Sequence, residues 1–167
     1  MQFSVWLESR KFSHHMRDDL RELFIKYLPL VRNSLNKTGL DIEFSDNQLL
    51  GYINFVAGFS IPAEERQMIR YADNIAKLIL QKIFKEVIED KVVENTRSNS
   101  NIKELLQRDI SVSLDGELEN LKLTVSLGSQ AYDSEEEKEL NLHDVLTGRS
   151  QELKNMILSV ANNIKIS

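Results

Sequence analysis

PAEERQMIRYADNIAKLILQKIFKEVIEDKVVE, residues 62 to 94, decides the fold. Met68, Ile69, Ala72, Ile75, Ala76, Ile79, Leu80, Ile83 and Val87 recur at three- and four-residue steps, the apolar stripe of an amphipathic helix. Pro62 suits a first helical position, where its missing N–H costs nothing, and Glu64 and Glu65 favour the positive end of the helix dipole. At 1.5 Å per residue this predicts one helix about 50 Å long. Leu78 and Phe84 add apolar surface on other faces, so between Ile75 and Phe84 the helix is apolar almost all round. Such a helix is central in a core or covered on both sides. Glu86 and Asp90 stand where a heptad seam would want apolar groups, which argues for a globular core helix and against a sustained coiled coil.

Working upstream, Ser45 and Gln48 form a capping-box pair opening a helix to about Ala57, and Gly58 to Ile61 breaks it. The two helices flanking this break, over 46–70, have the outline of a DNA-reading helix-turn-helix. A recognition helix presents its N-terminal residues to base edges and phosphates. Here those residues are Ala63, Glu64, Glu65, Arg66 and Gln67, and the adjacent carboxylates would face the phosphate charge that normally supplies affinity. The expectation is a plain helical hairpin. A nucleic-acid-associated regulator is the alternative, and it needs a basic face drawn from Arg10, Lys11, Arg17, Arg21 and Arg32.

Further upstream, Ser13 caps a predicted helix over about 14–37 whose face is Met16, Leu20, Leu23, Phe24, Tyr27, Leu28, Val31 and Leu35. Pro29 predicts a kink in it, and Gly39 suits the residue just past its end. Alternation at Phe3, Val5 and Leu7, and again at Leu40, Ile42 and Phe44, predicts two short strands.

Downstream, NTRSNSN (95–101) reads as a hinge within one domain, separating a helical part (1–94) from a hairpin-plus-helices part (102–167). Ile102 to Gln107 adds a helical turn or two. DISVSLDGELENLKLTVSL (109–127) alternates on both sides of Asp115-Gly116 and predicts a β-hairpin at about 110–127. Ser134 and Glu137 repeat the capping-box spacing before Leu142, Val145 and Leu146, so a helix is predicted there, ended by Gly148. Ser150 caps a last helix with Leu153, Met156, Ile157, Val160, Ala161 and Ile164 on one face. The predicted fold class is α+β, helix-dominated, with a long central helix (about 62–94) and a small antiparallel sheet centred on the hairpin.

Composition bounds the chemistry. The 167 residues are 41% hydrophobic and 28% charged, ordinary values for one globular domain. A net charge of -5 and a pI near 5.3 argue against general affinity for nucleic acid or anionic lipid. The absence of cysteine excludes disulfides, thiolate metal sites and cysteine nucleophiles, and fits a reducing cytoplasm. The start, MQFSVWLESRKF, has no signal-peptide pattern, and no run approaches the roughly 18 apolar residues of a membrane span.

His14 and His15 face Asp18 and Asp19 at helical spacing, and His143 adjoins Asp144; a small hydrolase or metal enzyme would need these groups to converge. A solvated first turn explains the pairs without a third ligand. There is no G-x-S-x-G elbow, no glycine-rich phosphate loop and no H-E-x-x-H. Neighbouring carboxylates such as Glu64-Glu65 diverge on a helix. The acidic run around Ser134 suits a cap better than a phosphorylation site or a basic partner. No cofactor or metal is expected.

The expected function is therefore a non-catalytic cytoplasmic interaction, adaptor or assembly protein. Its interface is expected on the long helix at Leu78, Phe84, Val87, Ile88 and Val92, with a second copy of the chain as the first partner and a foreign protein as the second.

Overall fold

A computed structural model describes residues 3, 7, 18–57, 62–96, 110–129 and 134–163. In chain order these form α1 (Asp18–Asn36), α2 (Asp46–Ala57), α3 (Glu65–Asn95), β1 (Ser111–Asp115), β2 (Lys122–Ser129), β3 (Ser134–Leu140), α4 (Leu142–Leu146) and α5 (Gln151–Asn163). The class is α+β and helix-dominated. Two compact units divide it: Met1–Leu80 with Glu117–Leu121, and Gln81–Gly116 with Lys122–Ser167. The hinge expected at 95–101 lies mostly outside the described residues, as do Ser13, the turns at 102–107 and Ile164.

In the first unit, α1 buries Phe24, Tyr27, Val31 and Leu35 at helical spacing and packs against α2. It runs on through exposed Pro29. Gly39, at φ +71, closes the turn after α1 with its N–H on the Asn36 carbonyl (3.2 Å), a left-handed conformation that a side chain would strain. Buried Ser34 donates to Asp73 on α3 (2.6 Å), and Lys37 reaches the same carboxylate oxygen at 3.2 Å. The Lys37–Asp73 pair is nearly half exposed, so the hydroxyl contributes more than the charge.

The strand predicted at 40–44 is absent, because the segment has no ladder partner. Its alternation reflects a single anchor: Phe44 is buried while Leu40 and Ile42 are half-buried. The Phe44 carbonyl accepts instead from the Arg32 guanidinium (2.8 Å), which also pairs with Asp46. The capping box forms as read: Ser45 N–H donates to Gln48 Oε1 (2.9 Å) and Gln48 N–H to Ser45 Oγ (3.2 Å). Gln48 also donates to the Leu7 carbonyl (3.3 Å). Phe3 and Leu7 are helical and buried, in place of the predicted strand. A spacing of four fits helical period as well as period two.

Tyr27 is buried, donates its phenol proton to the Pro62 carbonyl (2.5 Å) and meets Tyr71 edge-on at 6.4 Å. The bond fixes the entry to α3. Burial, with Tyr71 adding to it, raises the phenol above its usual pKa near 10. The neutral form is thus favoured by folding. That contribution is fully present below about pH 10 and is lost as pH rises through the folded-state value. Tyr27→Phe is expected to cost about 1 kcal/mol at neutral pH, from the lost hydrogen bond and the unpaired carbonyl. It is also expected to flatten the fall in stability above about pH 10. Urea denaturation across that range measures both, and an unchanged alkaline slope would refute the coupling.

In the second unit, the strands form an antiparallel sheet in the order β1-β2-β3. Val112 pairs with Val125 and Leu114 with Leu123, confirming the predicted hairpin; Leu118–Asn120 forms a turn of 3-10 helix between its strands. The later half of α3 buries Ile83, Phe84, Val87, Ile88 and Val92. Its Gln81 donates to the Val112 carbonyl on the free edge of β1 (3.2 Å). At the end of α3 the Asn95 and Thr96 side chains donate to the Lys91 and Val92 carbonyls.

The helix predicted through Leu142, Val145 and Leu146 forms as α4, but the cap expected at Ser134 lies in β3; the true cap is Asn141, whose side chain accepts the Asp144 N–H (3.0 Å). Glutamates favour helix weakly, and pairing with β2 overrides them. The register sets Leu140 opposite Leu123, Lys138 opposite Val125 and Glu136 opposite Leu127. Cross-strand partners share a face, so two charges point toward the apolar side of the sheet at its edge, a known block to further strand pairing. α5 packs on β2 and β3, burying Leu153, Met156, Ile157 and Val160.

Glu136 Oε1 accepts from Ser159 on α5 (3.4 Å), while Oε2 is buried without a hydrogen-bond partner among the described residues. Glu136→Leu is therefore expected to raise stability by about 1 kcal/mol while increasing aggregation. Paired thermal melts and turbidity measurements test this, and a destabilised variant would contradict it.

Candidate functional site

The expected interface residues fall into two groups. Phe84, Ile88 and Val92 are fully buried and Val87 nearly so, whereas Leu78 is 43% exposed. The reason is geometric. Ala72, Ala76, Leu80, Phe84, Ile88 and Val92 are all buried, and each lies four residues after the last. Four residues turn a helix through about 400°, so each step advances about 40° and the series winds about 200° round the axis. Phe84, Ile88 and Val92 thus continue one winding row of core contacts. Only Leu78 of the predicted five is offered to solvent.

Among the described residues, the large apolar side chains that remain at the surface are Ile25 (46% exposed), Phe55 (64%), Ile69 (57%), Leu78 and Leu158 (37%). All but Leu158 belong to the first unit. Each lies beside a core residue on its helix: Ile25 follows buried Phe24 on α1, and Ile69 follows buried Met68 on α3. On α2, Tyr52 and Ile53 are buried while Phe55 turns outward. Ile69 counts in the sequence as a stripe member, and Phe55 lies in a run too apolar to show a face. Their exposure was illegible without the packing.

The helix-turn-helix outline acquires dimensions. α2 ends at Ala57 and α3 begins at Glu65, so residues 58–64 connect them, longer than the three- or four-residue turn of that motif. Glu64, Glu65, Arg66 and Gln67 are all exposed, giving the helix a tip of mixed charge. Of the scattered basic residues, Arg21 is exposed and Arg32 is engaged by Phe44 and Asp46; Arg10, Lys11 and Arg17 lie outside the described residues.

His14 and His15 also lie outside the described residues. His143 is exposed in α4, where its carbonyl accepts from Thr147. Among the described residues no three His, Asp or Glu side chains are grouped to hold a metal. No helix among them is long and apolar enough to cross a membrane. A cavity beneath the α1–α2 connection is lined by Arg32, Leu35, Asn36, Ile42, Glu43 and Phe44; its arginine is committed to holding the loop.

No protein-family model, no curated protein and no solved structure matches this chain.

Proposed function

We propose that this chain is a non-catalytic cytoplasmic interaction or assembly protein that associates with a second copy of itself through apolar side chains of its helical unit. The observation supporting this reading is where the exposed apolar residues fall. A single exposed leucine or isoleucine is normal on any surface. Among the described residues, Ile25, Phe55, Ile69 and Leu78 all belong to residues 1–80, against Leu158 elsewhere. Large apolar groups are the side chains that anchor protein interfaces, and they gain most when a partner removes them from water. A cysteine-free composition suits a reducing compartment. A foreign protein offering a complementary apolar face is the second occupant.

Multi-angle light scattering over a wide concentration range tests the self-association. The unmodified chain is expected to move toward a dimer or larger species as concentration rises. Ile69→Lys and Leu78→Lys are expected to shift it to monomer with stability changed by no more than about 0.5 kcal/mol, as for other surface substitutions. A strict monomer at the highest attainable concentration would remove the homo-oligomer.

A further inference from the structure

We propose that a cleft in the second unit binds a phosphomonoester group, held by Arg149 and Lys154 with Lys91 beside them. The cleft encloses about 220 Å³ and is lined by Lys91, Glu94, Arg149, Ser150, Gln151 and Lys154 among others. Three cations therefore face one carboxylate in a protein whose net charge is -5. Lys91 pairs with Glu94 at 3.3 Å. Neither Arg149 nor Lys154 has an acidic partner among the described residues. Two uncompensated cations match the charge of a phosphomonoester, about -1.5 to -2 at neutral pH.

The local chain holds these groups in place. Gly148, at φ +72, turns the backbone out of α4, and the Arg149 N–H bonds the Asp144 carbonyl at 2.9 Å. That anchors the base of the arginine while its guanidinium remains free to present a planar fork to phosphate oxygens. Ser150 Oγ accepts the Leu153 N–H at 3.2 Å, so its own hydroxyl proton is available to donate. The volume lies below the roughly 300 Å³ at which pockets begin to enclose whole drug-sized ligands, so the cleft suits the phosphate head with the remainder outside. A polyanionic backbone would also meet Asp144 and Glu152, exposed in the flanking turns; an isolated phosphate need not.

The test is an amide-detected NMR titration of the full chain with inorganic phosphate, against sodium chloride at matched ionic strength. Saturable shifts at Gly148, Arg149, Ser150 and Lys154 are expected with phosphate only. Arg149→Gln and Lys154→Gln are each expected to weaken binding about tenfold, the loss of a charge-assisted hydrogen bond. Arg149→Lys, which keeps charge and loses the fork, should fall between. Because both side chains are exposed, unchanged melting temperatures will show that the variants are folded. Glycerol phosphate and a short phosphoserine peptide, titrated in parallel, separate a small-molecule source from a peptide one by which binds more tightly. Shifts that fail to saturate, that chloride reproduces, or that persist in the double variant overturn the site.

Discussion

The winding of the apolar row on α3 is the constraint from which the rest of the architecture follows. A straight stripe would let a 31-residue helix lie on one neighbour and face water along its other side. Steps of four residues rotate the apolar surface instead, so that no single face remains apolar from Met68 to Val92. Cover must then come from different elements along the length. The early turns belong with α1 and α2, and the turns after Leu80 belong with the sheet and α5. One helix thereby enters two cores. The predicted interface followed from this pattern: side chains that look surplus to one stripe are core to a rotating one.

Local signals were legible wherever the chemistry is completed within a few residues. The Ser45–Gln48 box, the Ser150 cap, the glycines after α1 and α4, and the hairpin around Asp115-Gly116 each depend on neighbours three or four positions away, or on a backbone angle. Errors arose where a distant partner decides. The run from Ser134 has helical propensity and a capping-box spacing, but β2 offers a ladder along its whole length, and the strand wins. Leu40 to Phe44 has strand alternation and no ladder at all, so a guanidinium takes its key carbonyl. Phe3 and Leu7 fit period two and period four alike. The candidate surface was the least legible, because Ile69 and Phe55 belong to apolar patterns and only packing shows which members are left outside.

Polar groups serve mainly as joints in this fold. Ser34 and Lys37 converge on Asp73, Arg32 spans Phe44 and Asp46, Tyr27 seats Pro62, and Gln81 covers the Val112 carbonyl. Each connects segments that hydrophobic burial alone would bring together without fixing their register. Exposed ion pairs contribute little to stability, whereas a buried carbonyl left without a donor is costly. The joints to main-chain acceptors therefore matter more than the pairs between charges. Arg32 has both roles, and its bond to Phe44 is the one that replaces a missing strand.

The same reasoning separates structural charge from charge left over for recognition. Arg32, Lys37, Lys82 and Lys91 pair with carboxylates, whereas Arg149 and Lys154, beside a cleft, have no acidic partner among the described residues. Once the winding row has absorbed Phe84, Ile88 and Val92, Leu78 and Ile69 remain exposed with no structural task. Folding accounts for most of the apolar groups described, and the proposed binding surfaces are built from side chains that it leaves exposed. The two proposed surfaces differ in kind and fall in different units: Ile69 and Leu78 in the first, Arg149 and Lys154 in the second. Occupation of one therefore does not consume the groups that the other would use, and a phosphate-bearing ligand and a protein partner are chemically compatible on a single chain.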